Sequence, residues 1–196
     1  MPGSSYAGEL PALNPLQAEL RMGLRRDVEM LATTIGPRNL QYPDNLKKTS
    51  QFLLKELSDM GYVVERQSYK SLDQTFENLI VEIPGKSRPK EIVVVGAHYD
   101  SAFDSPAAND NGSGVAATLE LARSYVSRKP SRTVRFVFFV NEEPPFNWTN
   151  DMGSLVYAKS CKARDENIVG MFSLETIGYY SDAPNTQRYP QPLDRL

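Results

Sequence analysis

The apolar positions of the first third of the chain recur at helical spacing. They do so from Pro15 to Ile35 and again from Asp44 to Met60. Asn14 precedes a proline and favours a helix start, because its side chain can cap free backbone N–H groups. Gly36 and Gly61 follow the two stretches, and glycine commonly ends a helix. We therefore predict two amphipathic helices that pack their apolar faces in the core.

Further along the chain, strand-like segments alternate with helical ones. The segments 62–69 and 77–85 have the composition of strands and predict a hairpin at a sheet edge. Three more strands are predicted, at 91–99, 133–140 and 167–175, and the first two are apolar enough to be buried on both faces. Helices are predicted at 114–126 and 153–161. The alternation predicts an α/β fold, a three-layer α/β/α sandwich around a mixed, largely parallel sheet.

The length of 196 residues suits one sizeable core and is too short for two ordinary domains and a linker. Residues 1–14 are rich in Pro, Gly and Ser and predict an irregular arm, and residues 15–196 predict one domain. No apolar run approaches the roughly 20 residues of a membrane span. The first residues lack the features of a secretory signal. The chain as written thus predicts a cytoplasmic protein, and an upstream segment would predict an exported or membrane-anchored one.

Charge and cysteine content narrow the chemistry. Lys and Arg number 22 against 24 Asp and Glu, so the net charge of -2 gives no argument for binding nucleic acid. Cys161 is the only cysteine in the sequence, which excludes an internal disulfide bond and a thiolate cluster for zinc. We interpret Cys161 as an inert packed residue.

The single histidine of the chain lies in an acidic stretch, GAHYDSAFDSPAANDNGSG, directly after a predicted strand. In α/β sheets, ligands bind beyond the carboxyl ends of the strands. Side chains of types that commonly bind metals follow three predicted strands. They are His98, Asp100, Glu142, Glu143 and Glu175. A further one, Asp110, lies in the loop before the next predicted helix. We expect the five residues that follow strands to converge on one rim of the sheet, with Asp110 nearby.

Nitrogen and carboxylate ligands without thiolates suit zinc, with manganese or cobalt as substitutes. Several carboxylates, one of them able to bridge, indicate two ions about 3.5–4 Å apart. Asp100 lies two residues after His98 and should face the same side, where it can orient the imidazole. Glu142 and Glu143 should point in opposite directions from an extended backbone. One could then bind metal while the other acts as a general base.

Five motifs together resemble the co-catalytic zinc exopeptidases, the family of bacterial leucyl aminopeptidases, glutamate carboxypeptidases and glutaminyl cyclases. They are VVGAHYDS, ANDNGSG, FFVNEE, MGSLVYA and SLETIGYYSD. Their order and spacing agree over roughly residues 15–185, which is more specific than any one motif. The resemblance implies a zinc-exopeptidase fold, a peptide or small protein as substrate, and two zinc ions in an intact domain.

The resemblance also implies a role for each candidate residue. It implies four metal ligands, namely His98, Asp110, Glu143 and Glu175. Asp110 would bridge the two ions, Asp100 would orient His98, and Glu142 would be the general base. Glu175 stands where the family usually has an aspartate. The family also has a cis peptide bond after the bridging aspartate, which here is Asp110–Asn111.

The family's second zinc takes a histidine from far downstream, whereas His98 is the only histidine of this sequence. We therefore expect one zinc ion or fewer in this chain. The stretch 181–196 is interpreted as an active-site loop that is interrupted before the last strands and helices, so that the C-terminal part of the domain is missing.

The leading interpretation is a zinc-dependent exopeptidase, and within that class we favour an aminopeptidase. By the resemblance, it would hydrolyse a terminal peptide bond with a metal-bridging hydroxide and Glu142 as base. One alternative is a catalytically inactive protein, either a metal-binding fragment or a pseudoenzyme that has lost its activity by natural truncation, and the missing histidine favours it. Another is a single-zinc acyltransferase of the glutaminyl cyclase type. Phe146 and Trp148, after the glutamate pair, predict either the wall of an apolar substrate pocket or ordinary loop packing.

Overall fold

The computed structural model of the protein describes residues 8–9, 11–179 and 181. Four α-helices are formed in this part of the chain: α1 Pro15–Glu29, α2 Pro43–Asp59, α3 Gly112–Tyr125 and α4 Gly153–Ala163. Five strands of the described residues form one sheet: β1 Glu65–Ser71, β2 Gln74–Ile83, β3 Arg88–His98, β4 Arg132–Phe139 and β5 Asn167–Ser173. The predicted order of helices and strands is confirmed.

The first helix begins where the sequence predicts. The Asn14 side chain accepts the backbone N–H of Gln17 at 2.9 Å, and the Gln17 side chain accepts that of Asn14 at 3.0 Å. This reciprocal cap satisfies two N–H groups that the helix itself leaves free. The helix continues as a π-helical turn, Met30–Ile35, and ends at Gly36, whose φ of 83° suits glycine. Residues 8, 9 and 11–14 form no helix or strand, and the rest of the predicted arm lies outside the described residues.

The sheet is mixed, with the order β1-β2-β4-β3-β5. Strands β4, β3 and β5 are parallel, while β1 and β2 form an antiparallel hairpin that pairs with β4. The hairpin lies at a sheet edge, as predicted. Parallel neighbours need crossover connections, which α3 provides between β3 and β4 and α4 provides between β4 and β5. The mixed α/β sheet with a parallel portion is therefore confirmed.

Helices cover both faces of the sheet and make three layers. On one face, Leu31, Leu53 and Leu119 of the α1–α3 layer belong to the same buried cluster as Leu79 of β2. On the other face, α4 packs Tyr157 against apolar side chains of β2, β3 and β4. Burying a leucine such as Leu53 completely contributes about 1.5–3 kcal/mol to the stability of the fold.

On the face of the sheet that α4 covers, an ion cluster surrounds the buried Arg135 of β4. Its guanidinium pairs with Glu82 at 2.7 Å and with Glu166 at 2.7 Å, and it donates to the Tyr157 hydroxyl at 3.0 Å. Cys161 is buried beside this cluster, and burial raises the pKa of its thiol. The packed, unreactive role predicted for this cysteine agrees with that environment.

Strand β5 is the outer strand of the parallel part of the sheet, and much of its apolar surface is exposed. Val169, Met171 and Phe172 are 45%, 48% and 61% exposed. In the described part of the chain, no helix is both long enough and apolar enough to cross a membrane.

Candidate metal centre

Three strand ends position the candidate metal-binding side chains. His98 is the last residue of β3, and in the parallel register it lies beside Phe139, the last residue of β4. Gly96 of β3 lies beside Ser173, the last residue of β5. Because the carboxyl ends of parallel strands meet at one edge, the residues that follow each strand are brought to the same rim.

Nε2 of His98 is surrounded by carboxylates. It lies 3.2 Å from Oδ1 of Asp110, 3.6 Å from Oε1 of Glu175 and 3.8 Å from Oε2 of Glu142. Potential ligand atoms of His98, Asp110 and Glu175 lie within 4.8 Å of one another, and so do those of His98, Glu142 and Glu143. Five of the six candidate residues therefore form two overlapping groups that share the imidazole.

The sixth residue, Asp100, is buried behind the imidazole. Its Oδ1 accepts the backbone N–H of Glu142 at 3.1 Å, and its Oδ2 accepts that of Glu143 at 3.0 Å. The same Oδ1 lies 3.4 Å from Nδ1 of His98, a buried atom with no hydrogen-bond partner among the described residues. Asp100 thus faces the side of the ring turned away from the other carboxylates and also anchors the backbone of the glutamate pair.

The prediction that Glu142 and Glu143 point in opposite directions is wrong. Strand β4 ends at Phe139, and Asn141 then adopts a φ of 59°, so the backbone is not extended when it reaches the pair. Asparagine tolerates this left-handed conformation better than most residues. The turn directs both backbone N–H groups at Asp100 and places both carboxylates near His98.

Asn111 connects the loop of Asp110 to the end of β5, a role that the sequence reasoning missed. Its Nδ2 donates to the Leu174 carbonyl at 2.8 Å and to Oε2 of Glu175 at 3.0 Å. Its Oδ1 accepts the N–H of Gly114 at 3.1 Å and so caps α3. The Asp110–Asn111 peptide bond is cis, as the resemblance implied. An asparagine three residues before the predicted start of the helix at 114 was the signal that could have revealed the cap.

The clustered charges shift the pKa values of the site. Burial and the nearby Asp110 carboxylate raise the pKa of Glu143 to about 7. Burial also raises the pKa of Glu142. Burial lowers the pKa of His98, but carboxylates led by Asp100 and Asp110 raise it more, to about 12. Excess negative charge around one imidazole is an environment that a divalent cation would stabilise.

The loop after the glutamate pair does not wall a pocket with its two aromatic rings. Phe146 is 4% exposed and packs edge-on against Phe76, with the ring centroids 5.1 Å apart, in the main core. Trp148 is 94% exposed. Ordinary loop packing therefore describes Phe146, while Trp148 is open to solvent.

One imidazole nitrogen and several carboxylate oxygens, without a thiolate, form a donor set suited to zinc. The sandwich fold places this set at the carboxyl ends of parallel strands, where α/β enzymes bind their ligands. Fold and site together describe an α/β protein with a candidate metal centre at the carboxyl ends of its parallel strands. Peptidase family M28 matches residues 78–196, more than half of the chain, and the chain belongs to this family.

Two curated relatives share clear sequence identity with the chain. The uncharacterized protein YfbL of Escherichia coli (strain K12) is 34% identical over 177 residues, which cover 86% of this chain and 53% of that protein. Aminopeptidase YwaD of Bacillus subtilis (strain 168) is 36% identical over 107 residues, 54% of this chain and 23% of that protein. The chain spans about half the length of the first relative and less of the second.

Solved structures confirm the zinc-exopeptidase fold. A Zn-dependent exopeptidase from Parabacteroides distasonis aligns with a TM-score of 0.65 at 21% identity, over 83% of this chain and 62% of that one. A glutaminyl cyclase from an Acidobacteriales bacterium aligns with a TM-score of 0.68 at 20% identity, over 88% and 64%. At these identities the likeness concerns the fold alone. The interpretation of 181–196 as an interrupted loop falls outside the described residues, except for Ser181.

Proposed function

We propose that the protein is a zinc-dependent exopeptidase that removes the N-terminal residue of peptides. The observation that supports this proposal most directly is the approach of Asp110 and Glu175 to Nε2 of His98, beside a second pair of carboxylates. Membership of peptidase family M28 supports the reaction class.

Under this proposal, His98, Asp110 and Glu175 hold one zinc ion. Asp110 and Glu143 contribute to a second site, for which this chain supplies no further histidine. We therefore propose two ions in an intact domain and at most one tightly bound ion in this chain. When bound, zinc supplies polarisation of the scissile carbonyl and a lowered pKa for a water molecule.

Glu142 would move the proton in this reaction. Its side chain is 45% exposed and reaches within 3.8 Å of His98, so a substrate and a water molecule can approach it. Its raised pKa suits a group that takes a proton from water and then returns it to the leaving amine. Asp100 would hold the imidazole and the backbone of Glu142 in place.

The charge of the site favours an N-terminal residue over a C-terminal one. The carboxylates of Asp110, Glu142 and Glu175 are 55%, 45% and 45% exposed, so they present negative charge to an incoming peptide. The bound zinc ion would offset the charge of its ligands Asp110 and Glu175, and the negative charge that remains at the other carboxylates, Glu142 among them, attracts the ammonium group of a free N-terminus and repels a C-terminal carboxylate.

Substrate discrimination tests this proposal. We expect the zinc-loaded protein to cleave leucine p-nitroanilide, slowly in this chain, and to leave N-acetyl-leucine p-nitroanilide intact. Cleavage of both substrates at the same rate would contradict the aminopeptidase assignment. If the protein is loaded with zinc and then retains none after dialysis, the proposed metal centre itself is contradicted.

A second candidate is a single-zinc acyltransferase of the glutaminyl cyclase type. It is favoured by the ligand set, which is complete for one ion only, and by a glutaminyl cyclase fold among the aligned structures. The assay for this activity is the cyclisation of a peptide with N-terminal glutamine, measured by the ammonia that the reaction releases. Zinc binding with neither reaction would leave the metal-binding fragment as the better interpretation.

A further inference from the structure

Arg38 is a fully buried cation that lies close to the candidate metal centre without belonging to it. Its side chain is 0% exposed. Among the described residues, its guanidinium donates hydrogen bonds to backbone carbonyl oxygens and pairs with no carboxylate. The acceptors are the carbonyls of Leu31, Gly36, Tyr99, Pro106 and Ala107.

The guanidinium joins the two ends of the loop that separates the metal-binding residues. Nε donates to the Tyr99 carbonyl at 2.7 Å, directly after His98. Nη1 donates to Pro106 at 2.7 Å and Nη2 donates to Ala107 at 3.0 Å, shortly before Asp110. The Ala107 carbonyl also accepts the N–H of Gly112 at 3.0 Å, so this contact extends to the start of α3.

The backbone around Arg38 reinforces the same connection. Its N–H donates to Oγ of Ser101 at 2.9 Å, and its carbonyl accepts the N–H of Ser101 at 3.1 Å. Asn39 donates from Nδ2 to the carbonyls of Ser101 and Phe103 at 2.8 and 2.7 Å. The segment before α2 is therefore tied along the length of the loop.

Burying a charged guanidinium costs free energy, so we ask which feature of the loop its hydrogen bonds maintain. Taking a guanidinium out of water carries a large desolvation penalty, which carbonyl hydrogen bonds offset only in part. Burial lowers the pKa of Arg38 to about 10, so the group remains charged at neutral pH. The anions that favour its charged form are Asp100 and Asp110 of the site itself, neither of which it contacts.

We propose that Arg38 is a positioning residue for the metal centre. By joining Tyr99 to Pro106 and Ala107, its planar fork sets the approach of Asp110 to His98. This inference rests on the proposed metal-binding function. A lysine keeps the charge but offers one compact ammonium group in place of a planar fork, so it cannot reproduce the same set of bonds.

The test is a titration of the metal-free chain with cobalt(II), followed by visible absorption, for the unmodified protein, Arg38→Lys and Arg135→Lys. The last variant is the matched control, because it also replaces a buried guanidinium fork but on the other face of the sheet. We expect Arg38→Lys to weaken cobalt binding about 10–100-fold, which is the usual effect of losing a residue that positions metal ligands. We also expect the absorption bands of the bound cobalt to change. Arg135→Lys should lower the unfolding midpoint while leaving cobalt affinity and bands unchanged.

Each outcome decides the inference. Unchanged affinity and bands in Arg38→Lys would overturn it, and so would equal losses in Arg38→Lys and Arg135→Lys, which would indicate a general loss of stability. If Arg38→Lys does not fold, Asn39→Ala replaces it, and there a several-fold loss of affinity supports the inference and no loss overturns it. Failure of the unmodified chain to bind cobalt would overturn the metal function and this inference with it.

Discussion

Oδ2 of Asp100 accepts the backbone N–H of Glu143 at 3.0 Å, across 43 positions of sequence. The other carboxylate oxygen accepts the neighbouring N–H of Glu142 and faces Nδ1 of His98. One buried carboxylate thus links the ends of β3 and β4. Neutralising it should disturb both strand ends together.

Asp100→Asn tests this link. The amide keeps one acceptor oxygen and turns an NH₂ group toward a backbone N–H, so one hydrogen bond to a charged group is lost. We expect the free energy of unfolding to fall by about 1.5–3 kcal/mol, measured by urea denaturation. We also expect cobalt(II) affinity to fall about 10–100-fold.

The control for this change is Asp104→Asn. Asp104 is exposed and accepts a hydrogen bond from the Tyr42 hydroxyl at 2.8 Å, away from the imidazole. Its substitution should leave metal affinity unchanged. If the two variants weakened cobalt binding equally, the proposed orienting role of Asp100 would have to be abandoned.

The two glutamates after β4 should respond differently to loss of charge. In a catalytically active form of the protein, Glu142→Gln should abolish peptidase turnover and leave metal content nearly unchanged, because a general base contacts the water rather than the ion. Glu143→Gln should lower metal content, since it would remove the charge of a proposed ligand. Metal analysis after dialysis and an assay on leucine p-nitroanilide measure the two effects. Equal metal content and equal activity in both variants would refute the division of roles.

The ion cluster on the other face of the sheet predicts an acid-dependent stability. Burial raises the pKa of Glu166, but its bonds to Arg135 and Arg164 lower it more, to about 2. A carboxyl whose folded pKa lies below its unfolded value of about 4.3 stabilises the protein above that pH. This contribution is lost as the pH falls toward 2. Glu166→Gln should therefore reduce the free energy of unfolding by about 1–3 kcal/mol at pH 7.

The difference between Glu166→Gln and the unmodified protein should shrink steadily below about pH 5 and become small near pH 2. Urea denaturation across this range measures it. Glu29→Gln is the control, because Glu29 pairs with Arg25 on the exposed surface of α1 and should change stability very little at any pH. A difference for Glu166→Gln that stayed constant with pH would show that its ionisation does not stabilise the fold.

The convergence of candidate ligands could be predicted from the sequence because it depends on strand order and local pattern alone. His98 ends an apolar strand, and parallel strands bring their ends together wherever they pair. The direction of Glu142 and Glu143 could not be predicted in this way. It depends on the left-handed Asn141 and on the Asp100 carboxylate, and the latter is 42 residues away from Glu142.

The role of Arg38 could be predicted from the sequence even less than the direction of the two glutamates. In the sequence it stands between Pro37 and Asn39 and resembles a surface residue of a turn. Its carbonyl partners at Tyr99 and Ala107 lie 61 and 69 positions away, and no local pattern marks a backbone carbonyl as a distant acceptor. Long-range hydrogen bonds to the backbone are therefore what the structure adds to the sequence in this site.

The number of zinc ions bound by this chain tests the whole interpretation of the ligand set. His98, Asp110 and Glu175 bring one nitrogen and two carboxylates within 4.8 Å, which suffices for one ion with water completing its coordination. The proposed second site would have Asp110 and Glu143 and would lack the nitrogen ligand that the resemblance implies. Losing even a residue behind the ligands typically costs about 10–100-fold in metal affinity, so losing a ligand should cost at least as much.

We therefore expect at most about one tightly bound zinc per chain after dialysis, and little turnover of leucine p-nitroanilide by residues 1–196 alone. His98→Ala is the matched variant, and it should bring zinc content close to zero because both groups of ligand atoms include the imidazole. Two tightly bound ions with rapid turnover would mean that another side chain replaces the missing histidine. Retention of zinc by His98→Ala would mean that the ion lies elsewhere and that the carboxylates around Nε2 have a different role.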